Sequence, residues 1–346
     1  MLSIVANTGR EVSGIQNYSD FLIKELDKRK IKHSLINPSE ENKLLKKVIS
    51  LLGFNSEKIL SDFPIFLKIP KIGTTHFTSQ QQAIALLFSK QTKSIVTVHD
   101  IIPLATNMYA SFFEKILYYL SYKGLKKADC IIADSQSTKN DLIHYLKIES
   151  KKITIVPLGV NLEIYKTSKA NREKNTVLYV GSEMPRKNLK ILFEAIAIVK
   201  KKIPDIKLIK VGVSQWKNAR EELILLASKL GISNNVVFKD HSDNLAEEYN
   251  KCTIFVFPSL YEGFGLPLLE AMACGCAIVC SDRTSLPEIA GDTVKYFEPE
   301  DKNELAVEIY ALLKNELLRK ELSLKAHKRA QEFSWAKTAE RTIRVY

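Results

Sequence analysis

A repeating alternation constrains this chain most. Short runs of β-branched and aliphatic residues recur, each followed by a helix-length stretch with apolar residues three and four positions apart. Residues 2–6, 94–98, 130–133 and 153–156 read as strands in the first part, and 176–180, 206–211, 235–239, 253–257 and 277–280 in the second. Continuous apolar strands of this kind suit a parallel sheet covered on both faces. Segments 112–127, 189–201, 219–230 and 245–250 read as helices between them. Ser135 or Ser137 is the N-cap of a further helix through Leu146. Strands alternating with helices imply βαβ units. The polar, Lys-rich and aperiodic stretch 161–175 interrupts the rhythm and reads as a linker. At ~100–200 residues per domain, 346 residues make two domains. The expectation is an α/β protein of two doubly wound, Rossmann-like domains facing a central cleft.

Composition narrows the function classes. With 45% apolar residues the chain is not disordered, and 13 Gly, 11 Pro and 5 Cys exclude collagen-like or disulfide-dense folds. No apolar run reaches the 18 or so residues of a membrane-spanning helix. The first residues lack the basic start and apolar middle of a secretory signal, so a soluble, cytoplasmic protein is expected. The net charge is +12, of which +8 lies in residues 1–160. That excess suits an anionic partner (nucleic acid, a phosphosugar or an acidic membrane surface), or simply a lysine-rich solvated surface. The segment 43–54 is basic and amphipathic. It reads either as a peripheral contact with an anionic membrane or as an ordinary helix.

In open α/β sheets ligands sit beyond the carboxyl ends of strands, so chemistry is sought after Ala6, Val98, Val180 and Phe257. The last of these loops reads Pro258-Ser-Leu-Tyr-Glu-Gly-Phe-Gly-Leu-Pro-Leu-Leu-Glu-Ala-Met-Ala273. Pro267 suits a first helical turn, which leaves amides near Gly265, Leu266 and Leu268 to meet an anion or hydroxyl oxygen. Glu270 is expected in that first turn, with Glu262 eight positions before it. Ionised carboxylates only accept hydrogen bonds, and each takes two hydroxyl donors. Such a pair suits a ribose and a hexose, unless Glu270 merely favours the helix and Glu262 is solvated.

The loop Gly181-Ser-Glu-Met-Pro-Arg-Lys-Asn-Leu189 sets Arg186 and Lys187 at a helix start, against the dipole, unless an anion such as a diphosphate is bound. It is not a P-loop, since Arg186 and Asn188 stand where Gly and Ser/Thr are required. His99-Asp100 ends a buried strand, where a histidine is either structural or faces a ligand. Gly9, Ser13 and Gly14 permit close backbone approach. Cys274, Cys276 and Cys280 read as core, and no zinc or Asp-x-Asp spacing occurs, so neither metal nor cofactor is expected.

Taken together, these stretches resemble glycosyltransferase family 4, retaining enzymes of GT-B fold that use nucleotide-diphosphate sugars. The likeness runs over nearly the whole chain. It is strongest in 256–292, with the family's Glu-x7-Glu motif at Glu262 and Glu270. Arg186-Lys187-Asn188, Thr97-Val-His-Asp100, Val156-Pro-Leu-Gly-Val160 and Phe333-Ser-Trp335 also match. The resemblance implies domains of 1–165 plus 331–346 (acceptor side) and 166–330 (donor side), the last helix crossing back to the first domain. It implies that Glu270 binds the ribose and Glu262 the transferred sugar. Arg186 and Lys187 would hold the pyrophosphate with the Gly14 amide, and the amides of Phe264, Gly265 and Leu266 would meet sugar or phosphate. His99 would hydrogen-bond the donor sugar.

Ser13-Gly14-Ile15-Gln16 departs from the family's Gly-Gly-x-Gly, and Ser182 stands where a basic residue is usual. The implied reaction is metal-independent hexosyl transfer to a glycan or lipid-linked glycan, with front-face attack. The combination with His-Asp-Ile-Ile-Pro resembles mannosyltransferases of surface-polysaccharide assembly. A GT-B nucleotide-sugar epimerase, an inactive sugar-binding module and a basic nucleic-acid-binding protein are the competing readings. The last lacks any recognisable nucleic-acid module.

Overall fold

The computed structural model describes residues 1–6, 14–38, 69–89, 91–109, 111–168 and 171–346. The chain divides into two units, Met1–Gly159 with Trp335–Tyr346, and Val160–Ser334.

In the first unit the order is β1 (Leu2–Val5), α1 (Gly14–Lys28), β2 (His33–Ile36), β3 (Thr74–Phe77), a 3-10 segment Gln80–Leu87, β4 (Lys93–Val98), α2 (Ile102–Thr106), α3 (Phe112–Leu125), β5 (Cys130–Ala133), α4 (Gln136–Leu146) and β6 (Ile153–Ile155). The strands form one sheet in the order β2-β1-β3-β4-β5-β6, every pair parallel. All four residues of β1 are buried, as a sheet covered on both faces requires. Ser135 is the cap of α4, its hydroxyl accepting from the Thr138 amide at 3.0 Å. The helix Trp335–Ile343 completes this unit. Its Trp335 ring stacks on Phe21 of α1 at 4.8 Å, and Thr338 Oγ1 donates to the Pro157 carbonyl.

The second unit runs β7 (Thr176–Val180), α5 (Leu189–Lys200), β8 (Lys207–Val211), α6 (Ala219–Lys229), β9 (Val236–Lys239), α7 (Leu245–Lys251), β10 (Ile254–Phe257), α8 (Leu266–Ala273), β11 (Ala277–Ser281), α9 (Leu286–Ala290), β12 (Lys295–Phe297), α10 (Lys302–Lys314) and α11 (Glu316–Ala330). Its parallel sheet has the order β12-β11-β10-β7-β8-β9. The order reverses between β7 and β10, the topological switch point where doubly wound sheets bind ligands. Both sheets have the doubly wound character expected from the alternation.

Three strands were not legible. β2 (HSLI) and β3 (TTHF) are four residues long with two and three polar side chains, and β12 (KYF) has three residues. None offers a run long enough for a period to show. The stretch 161–175 is not a free linker but part of the second unit. Arg172 donates to the carbonyls of Tyr249, Cys252 and Gly275, and Asn250 Oδ1 accepts from the Ser168 amide. Main-chain carbonyls and the Asn250 side chain thus anchor a segment that has no apolar period of its own.

Candidate active site

The switch point brings the loops after β7 and β10 together. Beyond β7 the chain must turn under Tyr179, whose hydroxyl donates to the Ser182 carbonyl at 3.0 Å. A Cβ on Gly181 would lie 2.6 Å from that hydroxyl, so the position (φ 149°) excludes a side chain. A 3-10 turn Pro185–Lys187 follows, and Asn188, left-handed at φ 57°, opens α5. The Arg186 carbonyl accepts from the Leu260 amide at 2.8 Å, which ties the two loops by their backbones.

Across this junction three charged side chains meet. Lys187 Nζ lies 2.6 Å from Glu262 Oε1 and Arg186 Nη1 3.1 Å from Glu262 Oε2. Arg186 also donates to the Tyr261 carbonyl, and Lys187 Nζ lies 5.3 Å from the centre of the Phe257 ring. Glu262 and Lys187 are buried. Burial pushes the Glu262 carboxyl up, but Lys187 and Arg186 outweigh it and hold the group below its ordinary range. The Glu262 amide donates to Thr284 Oγ1, and its carbonyl accepts from Ser285 Oγ. The sequence suggested two bases opposing a helix dipole until an anion arrived. Instead they sit in a separate turn before the helix, and Glu262 is their anion. Nor is Glu262 solvated.

Glu270 is the fifth residue of α8, not in its first turn, because the helix starts only at Leu266 behind Gly265. Its Oε2 accepts from the Tyr249 hydroxyl at 3.1 Å, and the Tyr165 hydroxyl is a second donor. Desolvation raises its carboxyl to about 7 despite both bonds. Glu270 is therefore engaged apart from the Arg186–Lys187–Glu262 cluster. The Leu268 amide bonds the Gly265 carbonyl and so is not directed to a ligand. The amides of Gly265 and Leu266 stand at the open N-terminal end of α8. Phe264 is buried, its ring edge-on to Phe333 at 6.2 Å.

One cluster escaped the sequence reading. Glu183, within the same loop as Arg186, is buried with Lys210 Nζ at 2.5 Å and Arg220 Nη2 at 2.5 Å. Arg220 continues to Asp240 at 2.7 Å. Burial pushes Glu183 up, but Arg220 and Lys210 more than compensate and hold it low. A lysine at a strand interior was the available signal, since it demands a buried partner.

In the first unit His99 follows β4. Its Nδ1 is 2.6 Å from Asp134 Oδ2, and its Nε2 lies 2.9 Å from the Thr78 carbonyl. A carbonyl only accepts, so Nε2 carries a proton. Burial alone would lower the His99 pKa, but Asp134 and Thr78 raise it above the ordinary value. His76, on the unforeseen β3, bridges Thr97 Oγ1 and the Tyr346 hydroxyl, and burial lowers its pKa to about 3. Gly14 is the first residue of α1. Gly9, Ser13 and the segment 43–54 lie outside the described residues. Cys274, Cys276 and Cys280 are buried core. Among the described residues no three His, Cys, Asp or Glu side chains are grouped to hold a metal, and no helix is long and apolar enough to cross a membrane.

Comparison with known proteins follows the two units. A family model described as glycosyl transferases group 1 matches residues 160–329, and one described as glycosyltransferase family 4 matches 12–164. A serotype-specific mannosyltransferase of Escherichia coli is 32% identical over 273 residues, 72% of this chain and 33% of that protein. The chain thus spans about one third of the length of that relative. The O-antigen chain mannosyltransferase B of Escherichia coli is 27% identical over 274 residues, 73% of this chain and 70% of that protein. Among solved structures, sucrose-phosphate synthase of Thermosynechococcus elongatus shares the fold at a TM-score of 0.76 and 20% identity, covering 100% of this chain and 98% of that one.

Proposed function

The chain belongs to the family 4 glycosyltransferases of GT-B fold, and we propose that it moves a hexosyl group from a nucleoside-diphosphate sugar to a glycan or lipid-linked glycan of a surface polysaccharide. Mannose is the favoured sugar, on the strength of the two mannosyltransferase relatives. The observation that carries the reading is the Arg186–Lys187–Glu262 cluster at the switch point of the second sheet.

In this reading the glycosidic bond to phosphate loosens toward an oxocarbenium-like state, and charge grows on the leaving diphosphate. Lys187, Arg186 and the amides of Gly265 and Leu266 stabilise that charge, fixed in place before reaction begins. No metal ion is assigned a role. Glu262 holds both cations in register, and its remaining lone pairs accept hydroxyls of the transferred sugar. Glu270 accepts from the ribose diol. No side chain is assigned as nucleophile; the acceptor hydroxyl attacks from the leaving-group face, passing its proton to the departing phosphate oxygen, and the configuration is retained. Both ring nitrogens of His99 are engaged within the first unit, by Asp134 and the Thr78 carbonyl, so a further hydrogen-bond partner meets the ring only by displacing one of them.

The test is transfer from GDP-mannose, and in parallel UDP-hexoses, to a polyprenol-linked glycan, with the anomeric configuration of the product read by NMR. Lys187→Met and Glu270→Gln should each lower transfer at least 100-fold while circular dichroism is unchanged. Normal turnover in both would reject the site.

A further inference from the structure

Between Val180 and Lys187 the loop after β7 buries one side chain, that of Glu183. No apolar side chain of the loop is buried there, so a carboxylate takes the place of the usual hydrophobic anchor. Lys210 Nζ of β8 donates to Glu183 Oε1 at 2.5 Å, and Arg220 Nε of α6 donates to the same oxygen at 2.6 Å. The side chains of Glu183 and Lys210 are 0% exposed. Lys210 also donates to the Gly212 carbonyl, and Arg220 Nη2 reaches Asp240, just after β9, at 2.7 Å. One carboxylate thus ties the loop to a strand and a helix at once.

The cluster does not add charge to the switch point, because its two cations and two anions cancel. Nor does stability demand it, since well-packed apolar residues of similar volume serve as well as a buried ion pair. Arg220 is the second residue of α6, where the helix dipole disfavours a cation unless carboxylates face it. What the arrangement supplies is a fixed position. Arg186 follows Glu183 by three residues and Lys187 by four. The Lys187 amide donates to the Met184 carbonyl at 2.8 Å, so a single 3-10 turn joins the clamp to both bases. At a rise of about 2 Å per residue that turn is short, and a shift at Glu183 is passed on to Arg186 and Lys187.

We propose that Glu183 is a positioning residue for diphosphate binding: clamped by Lys210 and Arg220, it fixes the turn that carries Arg186 and Lys187. It acts through those two side chains and touches no substrate. The inference rests on the proposed donor site and adds the part that sets its geometry. A misplacement of about 1 Å in such a site can cost about 100-fold in rate.

The test is calorimetric titration of two charge-neutral double variants with GDP and guanosine, and with UDP and uridine. Glu183→Met with Lys210→Met removes the clamp and leaves Arg220 paired with Asp240. Glu183→Gln with Lys210→Met removes the same two charges but leaves an amide oxygen for Arg220 to hold. The first pair should lose at least tenfold of the natural chain's preference for diphosphate over nucleoside, and the second at most threefold. Nucleoside affinity should stay within twofold in both, and circular dichroism reports the fold. If either pair fails to fold, Arg220→Gln with Asp240→Asn decides in its place. That pair is also charge-neutral, leaves Glu183 on Lys210, and should lose at least threefold. An undiminished preference in the folded first pair or in its substitute overturns the proposal, as does an equal loss in the Met and Gln pairs. A natural chain that shows no preference for the diphosphate overturns instead the donor-site reading, and this inference falls with it.

Discussion

Lys187 and Glu262, 75 residues apart in the chain, meet at 2.6 Å with both side chains less than a tenth exposed. A buried pair contributes little over a well-packed apolar pair, but removing one partner leaves an uncompensated charge. Lys187→Met should therefore destabilise the fold by about 3–5 kcal/mol, lessened by Arg186, which still neutralises Glu262. Lys187→Met with Glu262→Leu should recover most of that loss. Urea unfolding of the two singles and the double completes the cycle.

Glu270 gives a pH signature of known sign. Its carboxyl is raised from 4.5 to about 7 in the fold. The native state thus holds its proton where the unfolded chain has released it. The associated stability is complete below pH 4.5 and is lost as the pH rises to about 7, amounting to about 3 kcal/mol at most. Glu270→Gln should abolish that slope, read as the melting temperature against pH. Donor binding runs the other way. A diol donates to the ionised carboxylate, so affinity should rise between pH 6 and 8 in the natural chain and stay flat in the Gln variant.

Gly265 adopts φ 105° at the start of α8, and a Cβ there would lie 2.9 Å from Leu286 Cδ2. Gly265→Ala should cost about 1–3 kcal/mol in chemical unfolding. Leu286→Ala added to it should not restore stability, because the backbone strain remains.

Asp134 sets the protonation of His99 through a 2.6 Å contact. In Asp134→Asn the burial that lowers the His99 pKa is no longer offset by a charge. Its titration by imidazole NMR should move from above the ordinary value to below it. In the natural chain the raised His99 pKa contributes stability that is complete below about pH 6.5 and disappears as the pH passes the folded value.

What the sequence disclosed and what it withheld have a common physical basis. β7 and β10 were legible because buried parallel strands are apolar throughout, and topology then places the loops that follow them at the ligand end. Arg186, Lys187, Glu262 and Glu270 were singled out as candidates on that ground. Their pairing was not, since a cation in one loop does not reveal a carboxylate 75 residues later as its counter-ion. The same holds for Tyr249 on Glu270 and Lys210 on Glu183, where both partners come from different elements. β2 and β3 were missed because four residues of which two or three are polar show no period, and His76 was missed with them.

The central claim, that Arg186 and Lys187 form a diphosphate site screened by Glu262, is tested most directly by calorimetric titration with GDP against guanosine, and UDP against uridine. The natural chain should bind one diphosphate at least 100-fold more tightly than its nucleoside. Lys187→Met with Glu262→Leu, confirmed as folded by circular dichroism, should lose at least tenfold of that preference. Equal affinity for nucleoside and diphosphate in the natural chain, or an undiminished preference in the double variant, would contradict the account.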